Sequence, residues 1–303
     1  DIKSKNVFSL KLFLEREDNM SRVLAKDAVI TRAFNNNLAL VKVDGKEKII
    51  FAKGIGFGKK FGEIISKDTF VEKIFSIEDE GNAKNLKRIV EKVDNEFFAV
   101  CEEAIVEISK KVEGELNEKI HVSLIDHLHF AVKRLKNKEE IVNPFLAEIE
   151  SFYPKEYELA KIVADRVGKA MNIAIPEGEV GFIALHIHSA LNNGKLSNTV
   201  KYSYLSGNII KHIEERLNLT IDRKSLDYTR FITHIRFAIE RIMNKAKIHN
   251  DLSDVIKIRY KESYKVAKEV ALIIQDYLAV KVSEEEIAYL ALHIERFRVS
   301  LSD

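Results

Sequence analysis

Four histidines stand in two matched pairs. "DHLHFAVKR" begins at Asp126 and "THIRFAIER" at Thr233, which puts His127 and His234 at equivalent places. "FIALHI" ends on Ile187 and "YLALHI" on Ile294, which does the same for His186 and His293. A neutral imidazole has three ordinary uses. It can donate a hydrogen bond inside a helical core, ligate a metal, or attack phosphorus as a nucleophile, since its pKa lies near 7. A phosphorylated histidine adds between one and two negative charges, which Arg134, Arg236 or Arg241 could receive. Metal binding would need further ligands, for which Asp126, Glu177 and Glu179 are the nearest candidates. The lone thiol, Cys101, has Asn208 at its repeat position, so it adds no ligand set. No P-loop or kinase motif is present, so a phosphoryl group would come from another protein.

The elements that carry these histidines repeat. The two members of each pair are 59 residues apart, and the second pair follows the first by 107 residues. Tyr153 matches Tyr260, Tyr157 matches Tyr264, Lys161 matches Lys268 and Glu179 matches Glu286 at the same offset. A gapless offset of this kind marks a duplicated structural unit. From about Asn85 apolar residues follow helical spacing, so residues 88–195 and 196–303 are expected to be two helical-bundle domains. "IPEGE" and "VSEEE" read as helix starts, with Ser283 and Glu286 spaced as a capping box.

Upstream the period is different. "AVITRAF", "LALVKV", "KEKIIFAKG" and "TFVEKIFSI" read as strands, with Asn35–Asn37 and Asp44-Gly45 as turns. Three or four antiparallel strands are expected over residues 27–82, too few to bury much surface alone, so this domain is expected to be dimeric. Residues 1–26 are set apart as an N-terminal extension.

Composition narrows the class. The chain of 303 residues is 46% hydrophobic and 32% charged, with net charge +2 and a single cysteine, which suits a reducing compartment and no disulfide framework. "NVFSLKLFLERED" is broken by Lys11 and ends in acids, unlike a signal peptide, and no apolar run approaches membrane-spanning length, so a cytoplasmic protein without membrane insertion is expected. Charge is concentrated between residues 22 and 60, where nine Lys or Arg face only Asp27, Asp44 and Glu47. That excess points to a polyanion. Within it, Arg32, Lys53, Lys59 and Lys60 can neutralise phosphates, and Asn37 can bond a base edge or backbone. Gly54, Gly56 and Gly58 permit close backbone approach. Phe57, between glycines, can stack on an unpaired base or else pack into the sheet.

A β segment with "NNN" and "AKGIGFGKK", followed by two helical domains each with an H-x-x-F-A and an A-L-H-I helix, resembles the BglG/SacY-type transcriptional antiterminators. "LIDHLHFAVKR", "NPF" and "PEGEVGFIALHIHSAL" look most like the branch that controls glucose phosphotransferase genes. The resemblance covers residues 27–303. It implies a dimeric co-antiterminator domain that binds an RNA hairpin in a messenger leader and prevents a terminator from forming. It implies two phosphotransferase regulation domains phosphorylated at His127, His186, His234 and His293, by a sugar permease, the glucose-specific one, on the first and by the phosphocarrier HPr on the second. It places Arg32, Asn37, Lys53, Gly54 and Phe57 on RNA-contacting positions, and implies neither enzymatic activity nor a cofactor. Ala52 stands where relatives often carry glycine, and Lys53 where others carry arginine, which alters the contact available there. The rival readings are a DNA-binding activator with the same regulation domains, which needs a helix-turn-helix region, and a histidine-metal hydrolase.

Overall fold

The computed structural model describes residues 22–139, 141–192, 196–223, 225–244, 246 and 248–300. The extension expected at residues 1–26 therefore lies outside the described residues as far as residue 21. By packing, the chain divides into two compact units. One holds the residues up to 140 together with 161–175, and the other holds 141–160 with those from 176 onward.

The first unit opens on strands. In chain order they are β1 (Arg22–Val23), β2 (Ala28–Asn35), β3 (Leu38–Val43), β4 (Lys46–Phe51), β5 (Ile64–Ile65), β6 (Phe70–Val71) and β7 (Lys73–Ile77). Five form one antiparallel sheet in the order β5-β2-β3-β4-β7, and β1 pairs with β6 in a separate ribbon. Asp44 and Gly45 both take positive φ, 52° and 79°, the backbone that lets a two-residue hairpin follow the strand twist.

The strand count exceeds the expected three or four for two local reasons. Past the glycine-rich loop the chain returns beside β2, where Gly62 N donates to Ile30 O at 2.9 Å and Ile30 N to Glu63 O at 2.8 Å. Ile64–Ile65 then becomes an edge strand against Ala28 and Val29. Further on, "TFVEKIFSI" breaks at Glu72, so that Phe70–Val71 pairs with β1 and Lys73–Ile77 with β4.

β3 buries four consecutive residues, Leu38 to Val41, where a strand with one wet face would alternate. Both faces of the sheet are therefore covered. On one, Ala28, Ile30, Ala39, Val41 and Ile50 pack with Leu24, Ile55, Ile65 and Val71. On the other, the cross-strand row of Leu40, Ile49 and Phe75 is buried with Phe34. That second face meets helices: Phe34 stacks on Phe98 at 4.2 Å and Phe75 meets the His121 ring edge-on at 4.5 Å. Those rings belong to α2 (Asn95–Ser109) and α3 (Ile120–Lys136), which follow α1 (Glu80–Lys92). Asp79 and Asp94 cap α1 and α2 by accepting the amides of Asn82 and Phe97, each at 2.7 Å, so helix begins before the expected Asn85.

The later helices are α4 (Leu146–Phe152), α5 (Pro154–Met171), α6 (Glu177–Leu191), α7 (Leu196–Leu217), α8 (Leu226–Met243), α9 (Ser253–Arg259), α10 (Lys261–Leu278) and α11 (Glu284–Ser300). The repeat is visible in them. At the same 107-residue offset α4 recurs as α9 and α5 as α10, and the start of α6 recurs as that of α11. In the second unit Asn143 of "NPF" accepts the Phe145 amide at 3.0 Å and donates to Gly178 O at 3.0 Å, tying α4 to the start of α6. Phe231 of α8 stacks on Phe297 of α11 at 4.9 Å and brings the two histidine-bearing helices face to face.

Candidate nucleic-acid interface and histidine sites

The β2–β3 turn and the glycine loop build one another. Asn35 Oδ1 accepts Asn37 N at 2.8 Å, which closes the turn. Asn37 Oδ1 then accepts Gly54 N at 2.9 Å, its carbonyl accepts Ala52 N at 3.0 Å, and Asn36 O accepts Gly56 N at 3.0 Å. Gly56 sits so close to the turn that a Cβ on it would lie 2.2 Å from Asn35 O. Gly54 takes φ +76°, in open space. The two glycines thus serve different ends, one the approach and the other the chain direction.

What this frame displays is an aromatic. Phe57 is 71% exposed, which sets aside the reading of it as a core residue. Phe61, on the same loop, is 82% exposed. Lys53 and Lys60 are exposed, and Lys59 lies 3.6 Å from Glu63 at a partly exposed site. Exposed rings on a rigid loop among lysines suit an unstacked base and its phosphates. Arg32 is placed differently: its guanidinium donates to Val90 O of α1 at 2.8 Å and lies 5.7 Å from the Phe34 ring. Asn37, Lys53, Gly54, Phe57 and Lys59 belong to the turn-and-loop frame, while Arg32 is tied to the sheet's helix-covered side. Phe61 escapes sequence reading because a phenylalanine before a glycine and two isoleucines looks like strand core.

The second unit brings His234 of α8 and His293 of α11 into contact, their rings stacked at 3.7 Å and 19°. His234 Nδ1 lies 2.9 Å from Tyr289 Oη, and the Tyr289 ring stands edge-on to His293 at 4.4 Å. A pocket of about 180 Å³ opens beside them, lined by Asp227, Arg230, Phe231, His234, His293, Arg296 and Phe297. Burial, then the neighbouring His234, Arg296 and Arg241, push the His293 imidazole down to about 4. Burial, Arg296 and Arg241 also lower His234. Both rings are therefore neutral near pH 7, the form with a lone pair to offer.

Of the arginines expected to receive a phosphoryl charge, Arg241 is held by Glu286 through two hydrogen bonds of 2.8 and 2.9 Å, and Arg236 donates to Phe152 O at 3.2 Å. This also corrects the capping box. Ser283 Oγ accepts Glu286 N at 3.3 Å, but the Glu286 carboxylate turns to Arg241 instead of reaching back. The cations that line the pocket are Arg230 and Arg296. Their spacing could have revealed them, since Arg230 is four residues before His234 and Arg296 three after His293, the intervals that share a helix face.

The other two histidines fall in different units. His127 is half-buried on α3, beside Asp126, which Lys92 holds at 3.0 Å. His186 is half-buried on α6 of the second unit. His188, on the same helix, bonds Glu156 Oε1 at 2.9 Å and packs at 3.9 Å on the Tyr153 ring. Burial and Lys92 lower the His129 imidazole. Among the described residues no group of three or more His, Cys, Asp or Glu is placed to hold a metal ion, and no helix is long and apolar enough to cross a membrane.

A sheet that presents an aromatic–lysine loop, joined to duplicated helical elements that bear histidines, defines a nucleic-acid-reading regulator with a phosphate-responsive segment. Comparison with known families agrees. Residues 28–84 match the CAT RNA binding domain, and residues 102–190 and 207–297 match the PRD domain. The chain belongs to the transcriptional antiterminators built from a CAT RNA-binding domain and two PRD domains, a regulatory family and not an enzyme family. It is 38% identical over 276 residues to Protein GlcT of Staphylococcus aureus strain JH9, and equally to that of strain Newman, covering 89% of this chain and 96% of each relative. The crystal structure of GlcT CAT-PRDI is 39% identical, covers 55% of this chain and 99% of that one, and superposes with a TM-score of 0.48. Residues 28–77, where a DNA-binding activator would need a helix-turn-helix, are strands and loops within the RNA-binding match.

Proposed function

We propose that this antiterminator acts on glucose-uptake genes by binding an RNA hairpin in a messenger leader, so that the overlapping terminator does not form. The observation that carries the RNA reading is Phe57, presented to solvent by a glycine loop that four hydrogen bonds among Asn35, Asn36, Asn37 and the loop hold in place. Base stacking on a preorganised ring loses little entropy. Asn37, Lys53, Gly54 and Lys59 complete the contact, with Arg32 behind them.

Phosphorylation of His127, His186, His234 and His293 is the control. In the tautomer whose Nδ1–H donates to Tyr289, His234 Nε2 carries the lone pair that attacks phosphorus. The donor's own bond to phosphorus breaks as the new phosphorus–nitrogen bond forms, the electron pair leaving with the donor, and Arg230 and Arg296 line the pocket that receives the charge. The donors are the glucose-specific permease and the phosphocarrier HPr, in the cytoplasm. Phosphate on the first-repeat histidines disfavours the RNA-competent homodimer by like-charge repulsion, and transported sugar drains it away. The exposed cross-strand pairs Val29–Ile64 and Val23–Phe70 are apolar surface suited to that homodimer.

Titration of the full chain against the leader hairpin upstream of the glucose permease gene, at several salt concentrations, tests the reading. Specific binding that weakens with salt and is lost in Phe57→Ala is expected. Binding that Phe57→Ala leaves intact overturns the loop assignment. In cells, His127→Ala is expected to give sugar-independent expression, and inducible expression with both His127 and His186 replaced overturns the control scheme.

A further inference from the structure

The turn that frames the RNA-reading loop is wired to the helices behind it. Asn35 is the connection. Its Oδ1 accepts the Asn37 amide inside the turn, while its Nδ2 donates to Glu103 Oε1 of α2 at 2.9 Å. Glu103 is shared, for its second oxygen accepts from Arg166 Nη1 of α5 at 3.1 Å. Arg166 is fixed in turn, donating through Nε and Nη2 to Glu107 Oε2 at 3.1 and 2.7 Å. From Arg166 to Gly54 the path is thus Arg166, Glu103, Asn35, Asn37, Gly54, with a hydrogen bond at every step.

The amide of Asn35 has little freedom to choose. With Oδ1 committed to Asn37, only Nδ2 faces the helix, and it requires an acceptor there. Glu103 meets that need with a carboxylate whose other oxygen Arg166 holds. Without Arg166 the carboxylate is free to turn toward water, and Asn35 loses its outside anchor. The Phe34–Phe98 stack, one residue from Asn35 on β2 and five residues from Glu103 on α2, packs the two elements together beside the polar chain.

We propose that Arg166 and Glu103 are positioning residues for RNA recognition: through Asn35 they set the turn that holds the Phe57 loop, without touching RNA themselves. They are then the point at which the helical segment adjusts the reading head. This rests on the RNA-reading role of the loop, and one arm of the test does not depend on it.

The test uses the full chain with Arg166→Ala, Arg166→Lys and Glu103→Gln. Amide exchange at Gly54 and Gly56 reports the turn directly, and affinity for the leader hairpin upstream of the glucose permease gene reports the consequence. Arg166→Ala is expected to speed exchange at both glycines and weaken RNA binding, each by roughly three- to tenfold, the equivalent of about one ordinary hydrogen bond. The salt dependence of binding is expected to stay as in the wild type, because no phosphate contact is removed. Arg166→Lys keeps the charge and the fold but not the forked geometry, and an intermediate effect is expected. Glu103→Gln is expected to act in the same direction as Arg166→Ala. Wild-type exchange in Arg166→Ala overturns the relay whatever the RNA affinity does. A shallower salt slope overturns it too, since Arg166 would then be a phosphate contact. If the wild type binds no hairpin at all, the RNA reading fails while the exchange arm still decides whether the relay governs the turn.

Discussion

The imidazoles of His234 and His293 lie stacked at 3.7 Å, with Tyr289 bonded to the first and edge-on to the second. Two rings this close cannot both be cations at small cost, and Arg296 and Arg241 add to the penalty.

Acid should therefore weaken the second unit. The folded His293 ring takes a proton only near 4, against an ordinary value of 6.5. Between those values the unfolded chain binds the proton and the folded chain does not. Stability should be level above about pH 6.5 and fall as pH drops toward 4, by on the order of 2 kcal/mol. Urea midpoints across that range should show the slope in the wild type and a flatter line in His293→Asn. An equal slope in both would place the proton elsewhere.

His234 and His293 are stacked at 3.7 Å, so phosphoryl groups on both rings would bring like charges into close repulsion. Incubated with phosphorylated HPr, residues 226–300 should gain at most one phosphate, on His234 or His293 but not on both, as read by mass spectrometry under conditions that preserve phosphohistidine. Arg296→Ala should slow that transfer by roughly tenfold, the loss of one charge-assisted contact. Doubly phosphorylated peptide in quantity would contradict the shared site.

Gly56 and Gly54 should differ in a way their φ angles do not foretell. Alanine at 54 meets empty space and costs about 1 kcal/mol for its left-handed backbone. Alanine at 56 meets a carbonyl at 2.2 Å, which must move, at a cost of roughly 2–3 kcal/mol. Gly56→Ala should abolish hairpin binding while Gly54→Ala weakens it. Equal effects would mean that the turn yields more easily than its geometry suggests.

His121 and Glu102 form a fully buried pair, Nδ1 lying 3.0 and 2.9 Å from the two carboxylate oxygens. His121→Leu leaves that carboxylate unmatched and should cost about 3 kcal/mol. Adding Glu102→Met should recover most of the loss. Thermal unfolding of the three proteins settles it: a double variant no better than the single would show that shape, not charge, holds the site.

The sequence reached as far as local patterns reach. The 107-residue repeat was legible because duplicated helices keep their lengths, and the Asp44-Gly45 hairpin because few residues accept its dihedrals. What escaped was set by packing across elements. Ile64–Ile65 is too short to read as a strand until β2 lies beside it. Glu286 sits where a capping box wants a glutamate, yet Arg241 on another helix outbids the backbone amide. Arg32 has the character of a phosphate ligand, and only the placement of α1 reveals that it spends a hydrogen bond on Val90. Arg230 and Arg296 were findable by helical spacing from their histidines, but that spacing alone does not say that α8 and α11 face each other.

The stack of Phe34 on Phe98 makes the border near residue 80 a poor place to cut and paste. A graft that exchanged residues 28–77 with those of a relative would bring a new surface against an old Phe98 and an old His121. Swaps that carry α1 to α3 along with the sheet should yield working hybrids more often than swaps of the sheet alone. The reading head and the first helices behind it are thus one unit of inheritance.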